Sequence, residues 1–208
     1  MSNSVLSEEY CDTLGELFNI GMGRAANSLS DMVGEEVILS VPDLKAIQYQ
    51  DALTLFTSMS SEPVNAVEQY FDGQFSGNAL LFFSNQSSQE LVYRILGDIP
   101  VSDDLGEMEQ ETLKEVANII LNACFGCIAE VLDCELHSGV PSIVTGSVAA
   151  VMGAQRKNLG PDPLVLTVSM TFSLPNKSIE GQVSLLMTSE SIKKLVKELE
   201  RFSSLYAM

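Results

Sequence analysis

Leu14, Leu17, Phe18, Ala25, Leu29 and Met32 recur at helical spacing. Wound at about 100° per residue, they cluster within about 60° of one direction, the apolar stripe of a helix packed on one side. Ser7 is the expected N-cap, with Glu8 and Glu9 in the first turn and Gly34 at the end. The run "EVILSVP" (36–42) then reads as a strand closed by Pro42. "AVEQYFDGQFSGNALLFFS" (66–84) reads as a hairpin turning at Asp72-Gly73, and Ser87 to Glu90 has the form of a capping box before "LVYRIL".

The same succession occurs twice. At an offset of 99 positions, residues 12–42 and 111–141 align without a gap. Thr13/Thr112, Leu14/Leu113, Glu16/Glu115, Asn19/Asn118, Ile20/Ile119, Val41/Val140 and Pro42/Pro141 are identical. "FSGNALLFFS" (75–84) resembles "IEGQVSLLMT" (179–188) at an offset of 104, each before a helical pattern. The five extra residues are expected in the turn-rich loop 153–163. Each half reads as long helix, strands, helix: repeat 1 over about 7–98 and repeat 2 over about 107–202, joined by the polar linker 97–110. Halves this small bury little alone. The expectation is one α/β (α+β) domain over 1–208 with a pseudo-two-fold axis. Short gaps between strands predict a mixed or antiparallel sheet.

Opposite the apolar stripe lie Asp12, Glu16 and Asn19, with Gly23 and Ser30. Glu111, Glu115 and Asn118 repeat the acid–acid–amide arrangement. A polar stripe is ordinarily the solvated face of a helix. Solvated positions are the freest to diverge, yet here they match between the halves as well as the core does. "GMGRAA" (21–26) has the form of a dinucleotide fingerprint, but that motif needs a preceding strand, and the residues before it read as helix. Close approach of another backbone is the better use for Gly21 and Gly23.

Composition narrows the partners. Eleven Lys and Arg face 28 Asp and Glu, a formal net charge of −17. Such a chain repels nucleic-acid phosphates and anionic lipid. The N-terminal residues lack the basic start and apolar run of a secretory signal, and no segment reads as the roughly 18 apolar residues of a membrane span. A cytoplasmic location is expected. Cys124 and Cys127 form a C-x-x-C without the second ligand pair a zinc site needs. Set within "NIILNACFGCIAEVL", they read as buried helix thiols. His137 reads as a solvated or hydrogen-bonded loop residue, so no His, Cys or Ser constellation supports a small-molecule enzyme.

Acid-x3-Glu-x2-Asn-x22-Pro, present twice, resembles the signature of the CheC/CheX/FliY family of chemotaxis phosphatases. Two Glu–Asn pairs resemble CheC; CheX keeps one, and the extra N-terminal segment of FliY is not seen. The first signature position is usually Ser or Asp in the family; Asp12 fits, and Glu111 is a longer acid. The resemblance implies faster dephosphorylation of a phosphorylated CheY-like response regulator. It implies catalytic roles for Glu16, Asn19, Glu115 and Asn118, the Asn holding water and the Glu docking on the regulator's Lys. Asp12 and Glu111 would support that contact, and Pro42 and Pro141 would fix loop geometry. No metal of the chain's own is implied; the regulator brings the Mg2+. CheD is a possible second partner. The alternative is a non-catalytic module of the same fold that binds a regulator, a flagellar-switch protein or CheD.

Overall fold

The computed structural model describes residues 6–59, 62–97, 106–156, 159–160, 162–174 and 177–206. Helix α1 (Glu8–Val33) begins where Ser7 accepts a hydrogen bond from the Tyr10 N–H and ends at Gly34, whose φ of 77° is left-handed. There follow β1 (Ile38–Gln48), α2 (Tyr49–Met59), β2 (Val64–Gly73), β3 (Gly77–Ser84) and α3 (Asn85–Leu96). The rest comprises α4 (Glu107–Val131), β4 (Leu136–Ser138), β5 (Ser142–Gly146), α5 (Val148–Arg156), β6 (Leu164–Leu174), β7 (Lys177–Met187) and α6 (Ser189–Tyr206).

The strands form one antiparallel sheet in the order β1-β6-β7-β3-β2, with β4 and β5 sharing the far side of β2. The chain halves therefore interleave. β1 of the first half lies beside β6 of the second, and β5 of the second beside β2 of the first. At the centre β3 meets β7 with Leu80 opposite Ser184.

Strand alternation sorts the core into two faces. Leu81, Phe83, Val183 and Leu185 pack with α1, α3, α4 and α6. Leu80, Phe82, Val165 and Leu186 pack with α2 and α5. β3 is covered on both sides, which is why "ALLFF" is apolar without alternation.

The second face corrects the helix–strands–helix reading, because α2 and α5 were not anticipated. Their signal is present: Tyr49, Ala52, Leu53 and Phe56, then Val148, Val151, Met152 and Gln155, stand at i, i+3, i+4 and i+7. Both helices are short and lie between strands.

Other boundaries move as well. β1 does not close at Pro42. It continues to Gln48 with a register shift between Ser40 and Asp43, and on this outer strand a residue without an N–H is tolerated. The hairpin does not turn at Asp72-Gly73. Those residues extend β2 to pair with His137 and Leu136 of β4, and the chain reverses over 74–76. Gly73 has φ 133°, and a Cβ there would strike the Glu135 carbonyl. α3 starts at Asn85, capped by Ser84, so Ser87 sits inside the first turn. The five extra residues of the second half lie in the β6–β7 hairpin rather than in 153–163. Phe71 pairs with Gly77 across the five residues 72–76, whereas Met170 pairs with Gly181 across the ten residues 171–180.

α1 lies directly on α4. A Cβ at Gly21 would stand 2.6 Å from the Cys124 Cα, so this glycine permits the backbone approach expected of it. Gly23, expected to do the same, is exposed, and a Cβ there would meet nothing within 4 Å among the described residues. Arg24 and Glu130 close the helix pair with a 2.7 Å salt bridge at the surface. α4 is long and apolar enough to cross a membrane by length and composition, contrary to the sequence reading. However, 56% of that window is buried within the fold, where α4 is a core helix.

Gly21→Ala is expected to destabilise the protein by about 1–3 kcal/mol, because overpacking outweighs the roughly 1 kcal/mol gained in helix propensity. A Cβ at Gly126, on the open side of α4, would meet nothing within 4 Å among the described residues, and Gly126→Ala should be neutral or stabilising. Denaturant melts of both variants check the contrast; a Gly21→Ala protein as stable as wild type contradicts it.

Candidate functional site

α1 and α4 carry the repeated polar residues. Asp12, Glu16, Asn19 and Gly23 are exposed on α1, as are Glu111 and Glu115 on α4; Asn118 is half-buried. Ser30, read as part of the same solvated stripe, instead ties α1 to the approach of β1. Its hydroxyl donates to the Ala26 carbonyl at 2.7 Å and accepts from the Val37 N–H at 2.9 Å.

The first copy is simple. Asn19 Oδ1 accepts the Val41 N–H at 3.1 Å, which fixes the carboxamide over β1 next to Pro42. This bond accounts physically for the spacing between the Asn and the Pro: the strand must return to the helix one residue before the Pro. An amide oxygen has two lone pairs and its nitrogen two protons. One acceptor position and both donors of Asn19 therefore remain for a ligand or water. Among the described residues, Asp12 and Glu16 make no ion pair.

The second copy is built differently. The counterpart of continuous β1 is split into β4 and β5. Phe71 pairs with Ser138 and Glu68 with Ser142, so Gln69 and Tyr70 of β2 face the gap at residues 139–141. Val140 is 91% exposed there, and Pro141 is half-buried. Gln69 fills the gap from below: its Nε2 donates to the Gly139 carbonyl at 2.9 Å and to Asn118 Oδ1 at 3.2 Å. Asn122, one turn beyond Asn118, donates to the same Oδ1 at 2.8 Å. Glu111 pairs with Lys114, while Glu115 makes no ion pair among the described residues.

Gln69, Asn122 and Lys114 escaped the sequence reading. Asn122 could have been found, since it stands at i+4 from Asn118 on the same stripe. Gln69 could not, because its approach depends on a strand interruption that no local pattern signals. Lys114 stands where the first half has Gly15.

The site is an exposed carboxylate one turn before a backbone-anchored carboxamide. It can accept hydrogen bonds from a cationic group and position a small polar molecule. Among the described residues no group of three or more His, Cys, Asp or Glu comes together as a metal site would need. The C-x-x-C is buried in α4 with both thiols free, and burial pushes both thiol pKa values up. His137 is exposed on β4 and not in a loop.

A model of the CheC-like family matches residues 9–45, the span holding Asp12, Glu16, Asn19 and Pro42. The chain is 22% identical over 196 residues to the CheY-P phosphatase CheC of Bacillus subtilis, covering 91% of this chain and 93% of that protein. The crystal structure of Thermotoga maritima FliY matches with a TM-score of 0.78 at 18% identity, over 95% of this chain and 99% of that one. A chain in the crystal structure of the CheX-CheY-BeF3-Mg2+ complex from Borrelia burgdorferi matches with a TM-score of 0.50 at 17% identity, over 83% of this chain and 96% of that one.

The buried C-x-x-C gives an expectation independent of function. In the native protein Cys124 and Cys127 should resist a thiol reagent that modifies the half-buried Cys11 and Cys134. Timed modification with mass mapping checks this; prompt labelling of Cys124 in the folded protein contradicts the packing of α4 described above.

Proposed function

We propose that this chain, a relative of the CheC-like family, is a phosphatase for the aspartyl phosphate of a CheY-like response regulator. The observation that carries the reading is the exposed Glu16 one turn before Asn19, whose carboxamide is anchored by the Val41 N–H, and the recurrence of this pair at Glu115 and Asn118. It is supported by the similarity to a CheY-P phosphatase across nearly the whole chain.

The chemistry uses the residues present. Hydrolysis requires a water oxygen to attack phosphorus in line while the bond to the aspartyl oxygen breaks, releasing phosphate and the free carboxylate. Such a loose transition state asks for positioning more than for a strong base. Asn19 can accept from the water through its remaining lone pair and donate through its nitrogen, with no negative charge set beside the phosphoryl oxygens. Glu16 and Glu115, without an ion pair among the described residues, would receive the regulator's Lys and align the helix on the phosphorylated face. Asp12 would extend that contact; Glu111 does so less readily because Lys114 already engages it. Pro42 and Pro141 would act through the backbone that follows each Asn. The Mg2+ that neutralises the phosphoryl oxygens belongs to the regulator, and the reading places the protein in the cytoplasm with its substrate.

Asn19→Ala with Asn118→Ala should leave the fold within about 1 kcal/mol of wild type, since each loses hydrogen bonds at or near the surface. The same double variant should slow phosphoregulator hydrolysis on the order of 100-fold, the scale of a lost attack geometry. The decay of the phosphorylated regulator under saturating variant measures it. Near-wild-type decay with a folded double variant would shift the reading to a non-catalytic docking module. Glu16→Ala with Glu115→Ala should instead weaken binding, and added salt should weaken the wild-type complex. Titration at low and high salt tests this; affinity unchanged by the double substitution contradicts the docking role.

A further inference from the structure

The two copies share their motif but not the groups around it. Gln69 is 1% exposed, and its Nε2 faces three acceptors: the Gly139 carbonyl at 2.9 Å, Asn118 Oδ1 at 3.2 Å and Asn122 Oδ1 at 3.4 Å. Turned over, its oxygen would meet the Gly139 carbonyl oxygen, so this backbone acceptor sets the orientation. In that orientation Gln69 Oε1 is buried and has no hydrogen-bond partner among the described residues. Asn122 adds the shorter bond to Asn118 Oδ1, at 2.8 Å. Both lone pairs of that oxygen are thereby taken. In the first copy Asn19 Oδ1 takes one donor among the described residues, the Val41 N–H. The residues matching Asn122 and Gln69 there are Gly23 and Val168, which carry no such donor.

We propose that Gln69 and Asn122 are positioning residues that restrain the second site: they occupy the Asn118 oxygen, so this copy turns over slowly while the Asn19 copy carries most of the hydrolysis. The proposal rests on the phosphatase reading. A restrained Asn118 still presents its nitrogen to a ligand but has no free lone pair to accept a hydrogen bond from the attacking water and hold it in line. Docking through Glu115 is untouched by the network. The network therefore limits what the second site does to a bound regulator and not how tightly that site binds it.

The test isolates the second copy with Asn19→Ala and then removes the restraint with Asn122→Ala. Asn122 is exposed, so the fold should survive the change. The expected result is a rise of about three- to tenfold in kcat, the factor one hydrogen bond commands, with KM for the phosphorylated regulator unchanged. Introducing Asn118→Ala as well should abolish the gain. Gln69→Val, which installs the residue found at 168, should act in the same direction. A fall in kcat, or no change, on Asn122→Ala overturns the restraint. A gain that persists without Asn118 also overturns it. Failure of the underlying reading looks different: the Asn19→Ala, Asn118→Ala protein would then hydrolyse the regulator at the wild-type rate.

Discussion

The pairing of β3 with β7 is the contact on which the rest depends. It joins the two halves at the middle of the sheet, and β3 is covered by side chains on both faces. A strand of that kind needs helices above and below, which α1, α3, α4 and α6 supply on one side and α2 and α5 on the other. Interleaving then leaves neither half with a sheet of its own. The same arrangement sets α1 beside α4, and the missing side chain of Gly21 lets them touch. Once both helices lie on one face, their outward stripes carry the two Glu–Asn pairs.

The difference between the copies follows from the sheet rather than from the motif. β1 is continuous and lies at the edge, so a backbone N–H at Val41 is available to Asn19. Its counterpart breaks into β4 and β5, and the break exposes Val140. Gln69 reaches through the opening from β2 and takes over the task of anchoring the Asn. Identical motif residues thus acquire different hydrogen-bond environments, and hydrogen bonding governs what a carboxamide can do for a bound water.

Much of this was legible in the sequence. The helical period fixed α1 with its caps at Ser7 and Gly34, the duplication indicated α4, and the recurrence of Glu and Asn marked the candidate residues that the structure places on the outward faces of the two helices. Antiparallel pairing was also anticipated. What stayed hidden was non-local. Pro42 looked like a strand end because whether a strand tolerates proline depends on its being at an edge. Asp72-Gly73 looked like a hairpin turn because its pairing partner, β4, lies more than sixty residues away. α2 and α5 carry the right period but in few residues. Gln69 gave no signal, since only the assembled sheet brings it beneath Asn118.

The central claim is that a carboxylate and an anchored carboxamide on one helix suffice to hydrolyse a partner's aspartyl phosphate. The most direct measurement is the lifetime of a phosphorylated CheY-like regulator as wild-type protein is titrated in, with binding followed in parallel. The account predicts that the lifetime shortens and reaches a plateau at the concentration where binding saturates. Saturated binding with an unchanged lifetime would contradict it.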